Sequence, residues 1–170
     1  ADVPMDFSAT VLNEVKNYDL NVRPLDHPDR LDLSDKLIIT IDGDDAKDFD
    51  DAVGVEKIED NYRLIVAIAD VSNYVAKGSA VDKEAYHRGT SIYYANKVIP
   101  MLPFELSNEL CSLKEGEYRL ALALNVLIDP HGEVLDSSID EAIIKSKRRL
   151  TYNKANMILD GTLDDPELKE

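Results

Sequence analysis

Basic residues are scarce in this sequence relative to acidic ones. Its 170 residues include 19 Lys and Arg against 34 Asp and Glu, which gives a formal net charge of −15. Neutralisation of phosphates dominates the affinity of most nucleic-acid binders, so a domain that binds RNA or DNA unaided usually carries a basic face. Three explanations of the acidity therefore stay open: nucleic acid is not the partner, the basic surface lies on other sequence, or the acids hold cations that meet the phosphates.

Cysteine and long apolar runs are scarce as well. The single cysteine, Cys111, excludes a disulfide framework and a thiolate zinc cluster within the chain, and a reducing compartment is the default for such a protein. No run of eighteen apolar residues is present, so we expect no transmembrane helix and no membrane partner. The opening residues 1–6 have no basic, apolar leader, and the sequence therefore predicts a cytoplasmic protein.

The composition is that of a folded domain, with 44% hydrophobic and 31% charged residues. Periodicity predicts a helix over 7–15 and a polar connecting loop over 18–35. The segment 62–69 is almost entirely apolar and predicts a buried strand. The other predicted elements are strands over 37–41, 52–58, 119–128 and 133–146, extended segments over 91–94 and 97–99, and helices over 79–88, 103–110 and 151–159.

The order of these elements predicts the fold class. Strands that follow one another without helices between them favour antiparallel pairing. We therefore predict an α+β fold with a mixed, mainly antiparallel sheet and flanking helices. We divide the chain into an N-terminal helix and linker over 1–35, a main domain over 36–160, and an acidic tail over 161–170 that we expect to be disordered.

The most informative segment is an acidic loop between two apolar strands. Residues 40–52 contain six aspartates and one lysine. Two carboxylates about 5 Å apart repel by roughly 3 kcal/mol at an effective dielectric near 20, so a cation that offsets them is favoured, and oxygen ligands select Mg²⁺, Mn²⁺ or Ca²⁺. In a solvated loop the repulsion falls below about 1 kcal/mol per pair. Phe49 among the acids indicates an anchored loop, but both interpretations stay open on chemistry alone.

Two other acidic motifs fit this loop less well. A calcium EF-hand that starts at Asp42 would need Gly at the position of Lys47 and Glu at the position of Val53. A haloacid dehalogenase-like phosphatase also begins with an apolar strand and Asp-x-Asp. That family has Thr or Val where Ala46 stands and a helix after the loop in a parallel sheet, whereas this sequence continues into strands, so the phosphatase remains the less favoured alternative.

The loop resembles the signature of the ribonuclease II / ribonuclease R family. The matching stretch is Thr-Ile-Asp-Gly-Asp-Asp-Ala-Lys-Asp-Phe-Asp-Asp-Ala over residues 40–52. Gly43 and Phe49 lean towards the ribonuclease R branch. Five further blocks follow in the family's order, and the resemblance covers about residues 30–158. The blocks are Val-Ala-Ile-Ala-Asp-Val-Ser at 66–72, Arg-Gly-Thr-Ser-Ile-Tyr at 88–93, Ile-Pro-Met-Leu-Pro at 99–103, Leu-Ser-Asn-Glu-Leu-Cys-Ser-Leu at 106–113 and Arg-Leu-Thr-Tyr at 149–152.

The resemblance implies a site and an activity. It identifies Asp42, Asp48, Asp50 and Asp51 as catalytic carboxylates and as ligands of Mg²⁺, with Mn²⁺ as a possible substitute. Tyr93 corresponds to the family tyrosine that contacts the terminal nucleotide. The implied reaction is hydrolysis of single-stranded RNA from the 3′ end to nucleoside 5′-monophosphates.

The resemblance also implies that the activity needs more sequence than this chain has. Residues 36–160 correspond to the front part of the family's catalytic RNB domain. The family's catalytic arginine, a C-terminal catalytic segment and the RNA-binding barrel domains are expected on other sequence. The chain alone is therefore expected to be weakly active or inactive, and an inert RNB-like scaffold or binding module is the alternative.

Other polar residues receive structural interpretations. Tyr94 is predicted to lie in the core, Cys111 to pack in an apolar segment, and Asp70 to cap the turn after a buried strand. Lys145, Lys147, Arg148 and Arg149 form a basic cluster, which we expect either to touch RNA phosphates or to be a solvated strand face.

Overall fold

A seven-stranded sheet dominates the computed structural model, which describes residues 5–94 and 97–168. The strand order is β1-β8-β7-β4-β3-β2-β9, with antiparallel pairs in the centre and parallel pairs at the two edges. A separate hairpin pairs β5 with β6. This architecture confirms the predicted α+β class. The strands are β1 Leu31–Asp32, β2 Ile39–Asp42, β3 Asp51–Ile58, β4 Asn61–Ala69, β5 Ile92–Tyr94, β6 Lys97–Ile99, β7 Tyr118–Ile128, β8 Val134–Lys145 and β9 Arg148–Thr151.

In the described residues three α-helices flank the sheet, and a side chain caps the start of each. The helices are α1 Ala9–Val15, α2 Ala80–Arg88 and α3 Tyr152–Leu159, and their caps are Ser8, Ser79 and Thr151. Gly89 ends α2 in the left-handed conformation that favours glycine. A π-helix spans Glu105–Leu110, and 3₁₀ turns span Pro24–Asp26, Val71–Asn73 and Pro166–Leu168. None of the helices in the described residues combines the length and the apolar character needed to cross a membrane.

The two faces of the sheet differ in burial. In β4, Ile65 and Ala67 face the core that α1, α2 and the π-helix cover, whereas Ile68 on the opposite face is 47% exposed. The strand predicted over 62–69 is present as β4, but it is buried on one face only. The reason is that this strand belongs to an antiparallel sheet covered on one face, and its apolar run supplies both faces.

A close backbone contact fixes where β2 begins. A Cβ atom at Gly54 of β3 would lie only 2.7 Å from the carbonyl oxygen of Leu37 and 3.1 Å from a side-chain carbon of Ile38. Only glycine lets the chain approach β3 this closely before β2 starts at Ile39. β2 then pairs with β3 at Ile39 and Val53 and ends at Asp42.

Candidate functional site

The four aspartates predicted as a site lie at one end of the sheet, in and beside the loop that joins β2 to β3. Asp42 is the last residue of β2, and Asp51 is the first residue of β3. Asp48 and Asp50 lie in the intervening loop, where the Asp50 carbonyl accepts a hydrogen bond from the Ala69 N–H at 2.9 Å. The ends of two neighbouring strands therefore bring all four acids into one region of the molecule.

Phe49 anchors the loop between two of these acids. Its side chain is 8% exposed and belongs to the core, and its N–H donates to the hydroxyl of Ser112 at 3.1 Å. The buried Ser112 hydroxyl in turn donates to the carbonyl of Lys47 at 2.7 Å. Because Phe49 points into the core, Asp48 and Asp50 are held at the surface, where both line the same cleft.

Arg149 of β9 holds the other half of the loop. One terminal nitrogen, Nη2, donates to the carbonyls of Gly43 and Asp44, each at 2.8 Å. The guanidinium carbon lies 5.4 Å from the centre of the Phe49 ring, which is within the range of a cation–π contact. Asn153 at the start of α3 adds a longer contact of 3.5 Å to the Asp44 carboxylate.

The carboxylates at this site repel one another. Burial raises the pKa of Asp42, repulsion from Asp51 raises it further, and the nearby Arg149 guanidinium opposes these effects. Burial is also the main reason why the pKa of Asp50 is raised, and the charges of Asp48 and Asp51 add to it. Each raised pKa means that the ionised carboxylate is unfavourable where it stands, so the region favours a compensating cation.

Tyr93 joins the hairpin to the acidic loop. Its hydroxyl donates to Asp48 Oδ2 at 2.7 Å, and this hydrogen bond is the main cause of the raised pKa of Tyr93. The residue is nevertheless 63% exposed, so its ring remains accessible from solvent. The structure therefore brings Tyr93 into contact with Asp48, which lies 45 positions earlier in the sequence.

Two clefts meet beside Tyr93 and Asp48. One has a volume of about 280 Å³ and includes Asp50, and the other has a volume of about 630 Å³ and extends towards Lys97 and Phe104. Both are lined by Asp48, Tyr93, Ser91 and Ser107. The larger cleft has the size of a small-molecule site and offers aromatic, cationic and carboxylate groups to one ligand.

The donor chemistry of this region suits a hard divalent cation. All four acids supply oxygen only, and Asp42 Oδ2 is a buried oxygen without a hydrogen-bond partner among the described residues. Within residues 5–94 and 97–168, however, no three His, Cys, Asp or Glu side chains are grouped so that they could hold one ion. In this structure one oxygen of Asp48 accepts the hydrogen bond from the Tyr93 hydroxyl.

The other polar residues mostly have structural contacts. Cys111 is buried, which raises its pKa to about 12 and is consistent with the predicted packing role. Asp70 caps the 3₁₀ turn after β4 by accepting from the Asn73 N–H, as predicted. Tyr94 was predicted to lie in the core, but it is 56% exposed because its hairpin stands apart from the main sheet.

Residues of the basic cluster over 145–149 contact other parts of the same chain. Lys147 donates to the carbonyl of Ser34 at 2.6 Å, Lys145 lies over the Tyr118 ring, and Arg149 holds the acidic loop. The sequence did not single out Arg149 or Ser112 as partners of the loop. Arg149 reaches the loop because β9 pairs with β2, and Ser112 reaches it from the segment after the π-helix, and no local pattern signals either long-range contact.

Comparison with known proteins identifies the family. A family model described as RNB domain matches residues 30–170. The chain is 49% identical over 168 residues to a protein named Ribonuclease R from Thermotoga maritima, with 98% of this chain and 23% of that protein covered. A protein named Ribonuclease R from Mycoplasmopsis pulmonis is 48% identical over 167 residues, with the same coverage of both.

A solved structure gives the same result for the fold. The structure titled Mycoplasma genitalium RNase R in complex with ribose methylated single-stranded RNA superposes with a TM-score of 0.89 at 32% identity, covering 96% of this chain and 26% of that one. The chain therefore spans about a quarter of the length of these relatives. The family match covers most of the chain and the similarity extends through the acidic loop, so the chain belongs to the RNB domain family, as a part of that domain closely similar to Ribonuclease R.

Proposed function

We propose that this chain is the front part of the catalytic domain of a Mg²⁺-dependent 3′-to-5′ exoribonuclease. The whole protein would hydrolyse single-stranded RNA to nucleoside 5′-monophosphates. One observation carries the proposal: four aspartates lie on the adjoining ends of β2 and β3 and in the loop between them, and Tyr93 donates a hydrogen bond to one of them, in a chain of the RNB domain family. The activity is proposed for the whole protein, because this chain spans about a quarter of its relatives.

Asp42, Asp48, Asp50 and Asp51 are the residues that would hold the metal. Bound Mg²⁺ would supply activation of the attacking water and stabilisation of the leaving 3′ oxygen. The contribution of the protein is to hold the carboxylates on two strand ends and on a loop whose backbone is bonded from both sides. The unpartnered buried oxygen of Asp42 and the mutual repulsion of the acids support this assignment.

The clefts beside Tyr93 suit the end of an RNA strand. The exposed tyrosine ring can stack on a base or a sugar, and Lys97 in the larger cleft offers a positive charge for a phosphate. Contacts to the 2′ hydroxyl would separate RNA from DNA. With a net charge of −15, the chain is expected to rely on other domains of the whole protein to bind the strand.

The function is tested by Asp50→Asn in the full-length protein. Because the Asp50 carboxylate would act on the transition state, we expect the rate of hydrolysis to fall by about 10²-fold or more while RNA binding stays within about twofold. Asp45→Asn is the matched control, since Asp45 lies in the same loop and is exposed. Equal losses of binding and turnover in the Asp50 variant would contradict this division of labour.

End-labelled RNA tests the direction of the same reaction. With 3′-labelled RNA, the parent enzyme should release labelled mononucleotide at once, because the 3′ end is attacked first. With 5′-labelled RNA, the label should pass through a ladder of shortening products. The reverse pattern would show attack from the 5′ end and would overturn the proposed direction.

The metal assignment is tested on the 170-residue chain itself. We expect Mn²⁺ to bind weakly and to broaden the NMR signals of residues 42–51, because a paramagnetic ion relaxes nearby nuclei. Asp50→Asn should weaken this broadening, whereas Asp45→Asn should leave it nearly unchanged. If the Asp50→Asn chain broadens as the parent does at each Mn²⁺ concentration, Asp50 is not a ligand.

A further inference from the structure

We propose that Arg149 is a positioning residue that holds the loop after Asp42 in the conformation needed for the acids to share a cation. The consequence for the metal rests on the proposed function, whereas the effect on the loop does not. Arg149 touches the loop at two separate places. Its Nη2 donates to two consecutive carbonyls, Gly43 and Asp44, and its guanidinium lies over the ring of Phe49.

The two contact points lie next to the acids themselves. Gly43 directly follows Asp42, so a bond to the Gly43 carbonyl restrains the peptide that leaves the end of β2. Phe49 stands between Asp48 and Asp50, so contact with its ring restrains the second half of the loop. The Arg149 side chain therefore links the segment that follows Asp42 to the segment that carries Asp48 and Asp50.

The position of Arg149 is set by the sheet. In the parallel pairing of β2 with β9, Thr40 is the register partner of Arg149, and Asp42 is the partner of Thr151. The side chain thus starts beside β2, two residues before that strand ends. A planar guanidinium can bond two carbonyls and stack on an aromatic ring at once, which a lysine ammonium does less well.

The direction in which a substitution at Arg149 changes Mn²⁺ affinity distinguishes a positioning role from a purely electrostatic one. Arg149 is a cation beside a proposed cation site, so its charge alone disfavours metal binding. Removing that charge would tighten Mn²⁺ binding if electrostatics were the only effect. If Arg149 orders the loop, removing it should weaken Mn²⁺ binding. The free-energy cost of ordering the aspartates would then have to be met by the binding of Mn²⁺ itself.

Amide hydrogen exchange without metal tests the first half of the proposal. In the turn after Asp42, the Ala46 N–H donates to the Gly43 carbonyl at 3.2 Å. In Arg149→Gln we expect the amides of residues 43–48 to exchange about tenfold faster or more, because the loop opens more often. Lys154→Gln is the control: it removes one positive charge from α3, where Lys154 is exposed and its side chain makes no hydrogen bond to the described loop. Unchanged exchange in folded Arg149→Gln overturns the inference.

Mn²⁺ titration of the same chains tests the second half. We expect Arg149→Gln to bind Mn²⁺ about tenfold more weakly than the parent, Arg149→Lys to recover part of the affinity, and Lys154→Gln to bind equally or slightly more tightly. Equal or tighter binding by Arg149→Gln overturns the inference.

If circular dichroism shows that Arg149→Gln does not fold, both measurements are made on Arg149→Lys, and parent-like exchange in that variant overturns the inference. If the parent does not bind Mn²⁺ while exchange in Arg149→Gln rises, the loop role stands and the metal assignment fails.

Discussion

At the scale of single residues, Tyr93 connects the acids to the cleft in which a substrate would lie. Its hydroxyl is bonded to Asp48 while its ring is exposed, so the two parts of the side chain have separable roles. In the full-length enzyme we expect Tyr93→Ala to shift the final product to a longer oligonucleotide, because the last nucleotides lose their stacking partner. Gel analysis of the end products provides the measurement.

Tyr93→Phe is the matched variant for this prediction. It keeps the ring but removes the bond to Asp48, so the end product should stay as short as that of the parent. A final product of unchanged length in Tyr93→Ala would remove the ring from the site. A longer product in Tyr93→Phe would instead assign the effect to the hydroxyl.

The residues of the candidate site could be predicted from the sequence to different extents. The aspartates stand out because six of them occur in one short loop, and Tyr93 lies in a block that resembles the family. Arg149 could not be linked to the loop, because more than a hundred positions separate it from Gly43 and only the register of β2 with β9 brings them together. Side-chain partners that depend on long-range strand pairing leave no local signal.

At the scale of elements, the sequence predicted the central strands well and missed the edges. Strands β3, β4, β7 and β8 have long apolar patterns, and hairpin turns bound them. Strands β1 and β9 have two and four residues and pair in parallel with distant strands, so neither has a turn signal. β1 falls within the predicted connecting loop, and β9 directly precedes the predicted final helix.

A buried ion pair joins that connecting segment to the end of β4. Arg30 Nη2 lies 2.6 Å from Asp70 Oδ2, and both side chains are buried. Burial alone would raise the pKa of Asp70, but hydrogen bonds from Ser72 and Arg30 outweigh it and hold the pKa below its ordinary value. A lowered pKa in the folded state stabilises the protein above the unfolded pKa of about 4, and this contribution is lost as the pH falls through the folded value.

Asp70→Asn should therefore destabilise the chain in a pH-dependent way. At pH 7 we expect the free energy of unfolding to fall by about 3 to 5 kcal/mol, because Arg30 loses its buried carboxylate partner and keeps only the more distant, exposed Glu141 carboxylate and the Asn73 amide oxygen. Below about pH 4 the difference from the parent should shrink, since the parent loses the same interaction by protonation. Urea unfolding across this pH range gives the measurement, with exposed Asp136→Asn as the control. A difference that is the same at every pH would argue against the ion pair as its source.

At the scale of the whole molecule, the open face of the sheet is unusually apolar. Val55, Ile68, Leu122 and Ile139 on β3, β4, β7 and β8 are each more than a third exposed. The cross-strand register places Ile68 directly opposite Leu122, so these side chains form part of one surface. We expect this face to pack against other parts of the whole protein. The chain spans about a quarter of its relatives, and we expect it alone to be marginally stable or prone to associate.

Because the chain spans only about a quarter of its relatives, we expect the isolated chain to have little or no exonuclease activity and little affinity for RNA. A net charge of −15 repels a polyanion, and Mg²⁺ bound by the four aspartates would offset only about four of those charges. Within the described residues, Lys147 and Arg149 are already bonded inside the chain. The family's catalytic arginine is expected on other sequence, and loss of one such transition-state contact costs about 3 to 4 kcal/mol.

Incubation with 3′-labelled single-stranded RNA and Mg²⁺ tests this expectation, with the full-length protein as the positive control. The Asp50→Asn chain controls for contaminating nuclease, because a contaminant would be equally active in both preparations. We expect no mononucleotide above this background from the 170-residue chain at concentrations where the full-length protein degrades the RNA. Robust release that needs Mg²⁺ and disappears in Asp50→Asn would contradict the prediction, because it would mean that the residues on these strand ends suffice for hydrolysis without the expected arginine or the RNA-binding barrels.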